Sequence, residues 1–298
     1  EAFAPVSSLA PLTMLHIGAS ISLTSFTVHW STVLGLAAIA ALYEFVARTA
    51  DSGQRTTEVG SDRRPLSAVR RALFYSGLAV IFLSLNGWLH DLSDWYLFSA
   101  HMVQHLLLTL LVPPLLIAGT PGWMLRPALR YRPVAAVARL LTGPKVCFAT
   151  FSIVVAAWHL PALYNTAMAR HDIHIAQHLM FMASAVMLWW PILSPLPELP
   201  RLSYPMQMLY LFLTTLPMSV VAVYITYSRN LLYPAYAAAP RIAGILPLED
   251  QLIGGLIMWI PGGLLFFGVM SVIFFRWQSR GDDSVAGAQV DWRPAGGA

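Results

Sequence analysis

The feature that most constrains this chain is a series of apolar stretches, each long enough to cross a lipid bilayer. A transmembrane helix needs about 20 mostly apolar residues, because the hydrocarbon core is about 30 Å thick. Only 11% of the residues are charged, whereas soluble domains carry roughly 25%. The sequence therefore predicts an all-α polytopic membrane protein, in which residues 1–298 form a single domain with seven transmembrane helices. The predicted spans are 28–47, 72–90, 98–118, 146–163, 173–193, 205–226 and 251–275.

The two ends of the chain are expected to lie outside these spans. Residues 9–26 are apolar but rich in Ser and Thr, so we interpret 1–27 as an outer interfacial or re-entrant segment. An eighth, partial span is the competing interpretation. Residues 277–298 follow the last span, and we expect them to form a flexible cytoplasmic tail.

The basic residues indicate how the chain is oriented in the membrane. Fifteen of the 18 Arg and Lys residues fall on one side, mostly in the connections 48–71 and 119–145, and three fall on the other. Because cytoplasmic loops are enriched in Arg and Lys, the sequence predicts an N-terminus outside and a C-terminus in the cytoplasm. Contact with anionic lipid headgroups accounts for the net charge of +4, and nothing points to nucleic acid.

The motif His-x-x-Gln-His-Leu occurs twice, at 101–106 and 174–179, and each copy opens an apolar stretch. Residues four positions apart lie on one face of a helix, so each motif aims two imidazoles in the same direction. Two such helices facing each other could gather four neutral nitrogen ligands. We therefore predict a metal or haem site, and interhelical hydrogen bonding is the alternative use of these histidines.

The positions of the other histidines support this interpretation. On the predicted topology, all nine histidines of the chain fall in the outer half of the membrane or in the outer loops. The candidate ligands are His90, His101, His105, His159, His174 and His178. The candidate supporting residues are Asp91, Met102, Gln104, Gln177 and Asp250. The glutamines would fix imidazole tautomers or join helices, and the thioether of Met102 would favour Cu(I) or simply pack against apolar neighbours. His16, His29 and His171 are expected at the membrane interface.

The sequence lacks the motifs of several functional classes. Cys147 is the only cysteine, so neither an intramolecular disulfide nor a Cys-x-x-Cys motif is available. The sequence contains no Gly-rich phosphate loop, no Gly-x-Ser-x-Gly turn and no His-Glu-x-x-His motif. We expect a binding protein rather than an enzyme.

Four blocks of the sequence resemble the CtaG family of integral-membrane cytochrome c oxidase assembly proteins. They are HMVQHLLLTLLVPPLLIAGTP (101–121), WHLPALYNTA (158–167), HIAQHLMF (174–181) and LEDQLIGGLIMWIPGG (248–263). The resemblance implies a seven-span protein that is needed for active haem-copper oxidase and that handles copper. It also implies a family role for His101, His105, His159, His174, His178 and Asp250.

We therefore expect an assembly factor that binds copper at the outer face of the bacterial plasma membrane and delivers it to haem-copper oxidase subunits. Imidazoles can release the ion by ligand exchange, so no covalent chemistry is required. Two alternatives stay open. One is an intramembrane zinc hydrolase with Asp91 or Asp250 as its base, and the other is a haem-binding accessory subunit of a terminal oxidase. Membrane lipid is an expected partner, and assembly into a homo-oligomer also stays open.

Overall fold

The structure, a computed structural model, describes residues 26–54, 66–242 and 244–290. These residues form helices and short helical turns, and the described ranges contain no strand. The helices are α1 (Trp30–Gln54), α2 (Ala68–Leu85), α3 (Gly87–Trp95), α4 (Phe98–Leu106), α5 (Val112–Gly119), α6 (Gly122–Leu125), α7 (Arg132–Leu141), α8 (Pro144–Trp158), α9 (Pro161–Ala169), α10 (His171–Leu193), α11 (Tyr204–Thr226) and α12 (Pro247–Val290).

Most of the long helices are apolar enough to cross a membrane. Six segments pass this test: Trp30–Thr49, Ala68–Leu85, Phe98–Gly119, His171–Leu193, Tyr204–Thr226 and Pro247–Ser279. The helices α7 and α8 pass it together, although the chain bends by 65° between them. The described residues thus provide six spans, or seven if the bent pair forms one. The predicted all-α polytopic membrane fold is confirmed, and the orientation of the termini stays a prediction.

The second span is shorter than the sequence predicts, because the helix breaks at Asn86 and Gly87. Asn86 has an extended backbone, and Gly87 has a φ of +67°, a conformation that residues with a Cβ rarely adopt. The predicted 72–90 stretch is therefore two helices, α2 and the short α3. As a consequence, His90 lies on α3 rather than at the end of a membrane span.

The fourth span also differs from the prediction of 146–163. Helix α8 ends at Trp158, and α9 starts at Pro161 after a short break. Proline lacks an N–H and pushes the preceding residue out of helical geometry, which explains a break at Leu160. At the chain ends, 277–290 form the last part of α12, whereas the predicted outer segment up to residue 25 and residues 291–298 lie outside the described ranges.

The main core lies where α8, α10, α11 and α12 meet. It contains large side chains that are almost fully buried, such as Phe151, Phe181, Trp189 and Phe266. A second cluster joins α1 and α2 to the π-helical turn Leu107–Leu111 and α5. Helix α1 is peripheral: it buries Tyr43 and Ala47, while large apolar side chains along it are exposed, as expected for a lipid-facing helix.

The π-helical turn follows directly after the first histidine motif. Pro113 cannot donate to the carbonyl of Thr109 four residues earlier, and the indole Nε1 of Trp189 donates to that carbonyl instead, at 3.0 Å. The Thr109 hydroxyl donates to the carbonyl of His105 at 2.6 Å. The irregular turn is thereby satisfied within the protein, which a membrane interior requires. It also ties the end of α4 to α10, the helix that carries the second motif.

Candidate metal centre

The two histidine pairs face each other between α4 and α10. Within each helix the rings are close, with centroids 4.3 Å apart for His101 and His105 and 4.4 Å apart for His174 and His178. Between the helices, His101 lies 5.3 Å from His174, and His105 lies 5.4 Å from His178. All four side chains are buried. The structure therefore brings the four predicted residues together, and their role as ligands stays a prediction.

Two overlapping groups of potential ligand atoms lie in this cluster. One consists of His101, His105 and His178, and the other consists of Asp94, His101 and His174. In each group the ligand atoms lie within 4.8 Å of one another. His101 belongs to both groups, and its Nε2 lies 2.8 Å from Nε2 of His105. Small movements of these side chains would allow either group to bind one ion with three ligands.

Several buried nitrogens in this cluster have no hydrogen-bond partner. They are Nδ1 of His105 and Nε2 of His159, His174 and His178. A buried polar atom without a partner costs about 1–3 kcal/mol, so four in one place need an explanation. A cation bound by Nε2 of His159, His174 and His178 would supply three of the missing interactions. The donor set therefore fits a metal ion that binds neutral imidazoles.

The hydrogen bond of the His159 ring leaves its other ring nitrogen available to a metal ion. Its Nδ1 lies 2.7 Å from the carbonyl of Val155, and because a carbonyl only accepts, Nδ1 carries the proton. Nε2 of the neutral ring then has the free lone pair that a metal needs. The ring of His159 lies 6.0 Å from that of His105. His159, predicted as a ligand, is thus adjacent to the two pairs.

Asp94 is a site residue that the sequence analysis did not select. Its carboxylate lies 3.5 Å from Nε2 of His90 and 3.5 Å from Nδ1 of His174. Burial raises the pKa of this carboxyl to about 7, and burial lowers the pKa of His90 to about 3. The spacing of four residues from His90 was a usable signal, because it puts both side chains on one face of α3. The contact with His174 had no such signal.

Other predicted residues have supporting contacts. The Gln104 side-chain amide donates to the carbonyl of Ser84 at 2.6 Å and lies 3.4 Å from Nδ1 of His90, so it joins α4 to the end of α2. Both polar atoms of the Gln177 side chain are buried without a partner. Met102 packs in an apolar cluster with Phe98 and Tyr164, which is the packing role that thioethers usually have.

The two carboxylates expected to support the site have other partners. Asp250 accepts hydrogen bonds from the backbone N–H groups of Phe98 and Ser99, at 2.6 and 3.2 Å, and so caps α4. Asp91 accepts from the Thr27 hydroxyl at 2.9 Å. Among the described residues, neither belongs to a group of three potential metal ligands. The base that the zinc-hydrolase alternative requires would therefore, by position, be Asp94 rather than either of them.

A tyrosine hydroxyl that the sequence analysis did not select also reaches the cluster. Tyr236 Oη donates to the carbonyl of Ser93 at 2.7 Å and lies 3.2 Å from Nδ1 of His101. Nδ1 of His101 also lies 3.4 Å from that carbonyl. Tyr236 belongs to a connection between α11 and α12 that shows no motif, so nothing in the sequence pointed to it.

Two histidines expected at the membrane interface lie beside the cluster. The ring of His29 lies 4.4 Å from that of His90, and the ring of His171 lies 6.5 Å from that of His29. His16 lies outside the described residues. The eight described histidines thus form two groups of neighbouring rings, and the Asp94 carboxylate lies between His90 of one group and His174 of the other.

Comparison with known proteins gives a family match over most of the chain. A family model described as cytochrome c oxidase caa3 assembly factor (Caa3_CtaG) matches residues 41–280. No curated protein matches, and no solved structure matches. The matched range contains seven of the eight described histidines, His29 being the exception.

Proposed function

Because the chain belongs to the family of cytochrome c oxidase caa3 assembly factors, we propose that it assembles the oxidase by binding copper at its buried histidine cluster and passing the ion on. The observation that supports this is the cluster of buried imidazoles on α4, α10 and the end of α8, in which Nε2 of His159, His174 and His178 have no hydrogen-bond partner. Imidazole suits several transition metals, copper among them. The choice of copper comes from the family, since a haem-copper oxidase needs this metal.

The proposed site holds the ion through lone pairs of neutral imidazoles. If His101 donates from Nδ1 to the carbonyl of Ser93, its lone pair is on Nε2, facing His105. An ion shared by these two nitrogens replaces the hydrogen bond between them. Nitrogens about 2.0 Å from one tetrahedral ion lie about 3.3 Å apart, so the rings separate by about 0.5 Å on binding. The shift is small because both rings already point at the same place.

Release follows by ligand exchange with an oxidase subunit at the outer face of the bacterial plasma membrane. Each imidazole is a neutral ligand, so one can leave while another holds the ion, and no covalent bond of the protein is broken. The orientation supports this location, because the basic residues favour an extracytoplasmic position for the helix ends that carry the histidines.

Metal analysis of purified variants tests the proposal. His105→Ala and His178→Ala each remove a buried imidazole and should weaken copper binding at least about tenfold, since even supporting partners of metal ligands are worth 10–100-fold. Met102→Leu is the matched control, because it changes a buried residue of the same helix that packs against apolar neighbours. Wild-type protein without copper affinity, or histidine variants that bind as Met102→Leu does, would contradict the proposal.

A zinc hydrolase is the second candidate, and Asp94 is the observation that favours it. A hydrolase needs a carboxylate near the metal to activate water, and Asp94 lies within reach of His174 and His101. Asp94→Asn distinguishes the two functions. A carrier should keep oxidase maturation when copper is added, whereas a hydrolase should be inactive with its metal fully bound.

A haem-binding role fits the geometry less well. A haem between two axial imidazoles needs a slot as wide as the macrocycle. The rings of the two motifs instead pack directly against each other, with centroids 4.3 to 5.9 Å apart. An absorption spectrum of the purified protein checks this, because a Soret band would require the rings to separate widely.

A further inference from the structure

We propose that His29 and His90, with His171 at the exposed edge, form a second copper site, and that Asp94 and His174 pass the ion from it to the buried pairs. We call the first three residues the rim site. The proposal rests on the proposed function, since it concerns how the same ion reaches the cluster. It adds one residue that the family match does not cover, because His29 precedes the matched range.

The position of His29 is held by a set of hydrogen bonds to the break between α2 and α3. The backbone N–H of His29 donates to the Asn86 side chain at 2.7 Å, and the N–H of Gly87 donates to the carbonyl of Thr27 at 2.8 Å. The Thr27 hydroxyl donates to Asp91 on α3 at 2.9 Å. These bonds attach the segment before α1 to the start of the helix that carries His90. Hydrogen bonds within the protein therefore hold the two imidazoles next to each other.

The rim site has donor atoms suited to a metal ion. The rings of His29 and His90 meet edge to face at 4.4 Å. Nε2 of His29 is buried and has no hydrogen-bond partner. Asp94 lies 3.5 Å from Nε2 of His90, so a carboxyl oxygen stands next to the point where a cation would leave water. Pairing with a carboxylate offsets part of the cost of burying the charge.

The spacing of the donor groups suits transfer in short steps. From the rim, the carboxylate of Asp94 reaches both His90 and His174, each at 3.5 Å. His174 then lies next to His178 at 4.4 Å and next to His101 at 5.3 Å, between ring centroids. An ion about 2 Å from one imidazole nitrogen is thus near the next ligand before it leaves the first. Each step is a ligand exchange with no change in oxidation state.

Burial increases along the same series. His171 is exposed and His29 is partly buried, whereas His90 is 8% exposed, His174 is 6% exposed and His101 is fully buried. Two other carboxylates lie near the rim, and the first of them, Asp172, is paired with Arg170 at 2.6 Å. Asp91 is held by Thr27. Asp94 is therefore the carboxylate, among the described residues here, that can accompany the ion from the rim to the buried pairs.

The rate of copper uptake tests the rim site separately from the strength of binding. Full-length protein in detergent is mixed with a coloured Cu(I)–chelator complex, and the transfer is followed by stopped-flow absorbance. His29→Ala should lower rim occupancy, and hence the uptake rate, roughly tenfold, as expected for losing one metal-ligand interaction. Its copper affinity at equilibrium should stay near that of the wild type. His178→Ala should show the reverse pattern, with weak binding at equilibrium and fast initial uptake.

Two further variants keep the result interpretable. Ser31→Ala removes an exposed hydroxyl from the same part of the chain but keeps every imidazole and every hydrogen bond named above, so it should take up copper at the wild-type rate. If His29→Ala loses capacity at equilibrium, His29→Gln decides, because it keeps a polar side chain of similar length without an imidazole. Wild-type uptake rates in His29→Ala and His29→Gln would overturn the rim site while leaving the buried site intact. Absence of copper binding by the wild type would overturn the proposed function itself.

Discussion

Asp250 illustrates how a single side chain acts on the histidine cluster without touching it. The first N–H groups of a helix have no partner within the helix. At the start of α4, two of them, on Phe98 and Ser99, are satisfied by the Asp250 carboxylate from α12. This residue is 2% exposed, so water cannot replace it. It therefore holds the helix turn on which His101 lies.

We expect Asp250→Asn to destabilise the protein more than it weakens copper binding. The amide has one accepting oxygen and no charge, so one buried N–H loses its partner, at a cost of about 1–3 kcal/mol. Glu249→Gln is the matched control, because Glu249 caps the neighbouring Leu246 N–H at an exposed position. Thermal unfolding in detergent and copper affinity are the two measurements. Equal stability of the two variants would contradict the capping role.

At the scale of helices, the break at Asn86 and Gly87 decides which side chains α3 brings to the histidine cluster. An uninterrupted α2 would carry His90 on past Leu85 along the same axis. The break instead starts α3 in a new direction, which brings His90 to His29 and puts Asp94 beside His174. Gly87 has a φ of +67°, and its missing Cβ leaves room for the ring of Phe26.

Gly87→Ala should therefore disturb both stability and the rim site. A Cβ at this position would clash with the Phe26 ring, and the left-handed backbone adds about 1–2 kcal/mol for an L-residue. Gly35→Ala is the control, since nothing lies within 4 Å of its added Cβ in the middle of α1. We expect slower copper uptake and a lower unfolding temperature for Gly87→Ala alone. A Gly87→Ala protein as stable as Gly35→Ala would contradict the assigned break.

At the scale of the whole molecule, histidines lie at one set of helix ends and arginines lie at the opposite ends. The ends at 30, 85, 98, 158 and 171 gather the histidines. The opposite ends carry arginines, among them Arg71 paired with Glu44 and Arg126 paired with Glu198. In a membrane this polarity predicts an outward-facing histidine end, because basic residues are retained on the cytoplasmic side.

A cysteine-labelling scan tests this orientation. Cys147 is fully buried and can be replaced by Ser to give a cysteine-free background. Single cysteines at Ser61 and Tyr131 should be protected from an impermeant thiol reagent in intact cells. A cysteine at Ala238, in the connection from α11 to α12 at the histidine end, should be labelled. The opposite pattern would place the histidines in the cytoplasm and exclude delivery from the outer face.

Spacing along the chain was enough to predict the class of fold and the core of the site. Apolar stretches of membrane length require helices, because only helices and closed barrels satisfy the backbone in lipid. A four-residue spacing puts His101 with His105, and His174 with His178, on one helix face whatever the surroundings. These are local properties, so the sequence contains them directly.

Contacts between distant residues decided the rest. The break at Gly87, the cap of α4 by Asp250, and the meeting of Asp94 with His174 each join residues far apart in the chain. No local spacing encodes such contacts, because they depend on how whole helices pack against one another. His29 is the clearest case: alone it looks like an interfacial residue, and only the docking of its segment onto Asn86 brings it to His90.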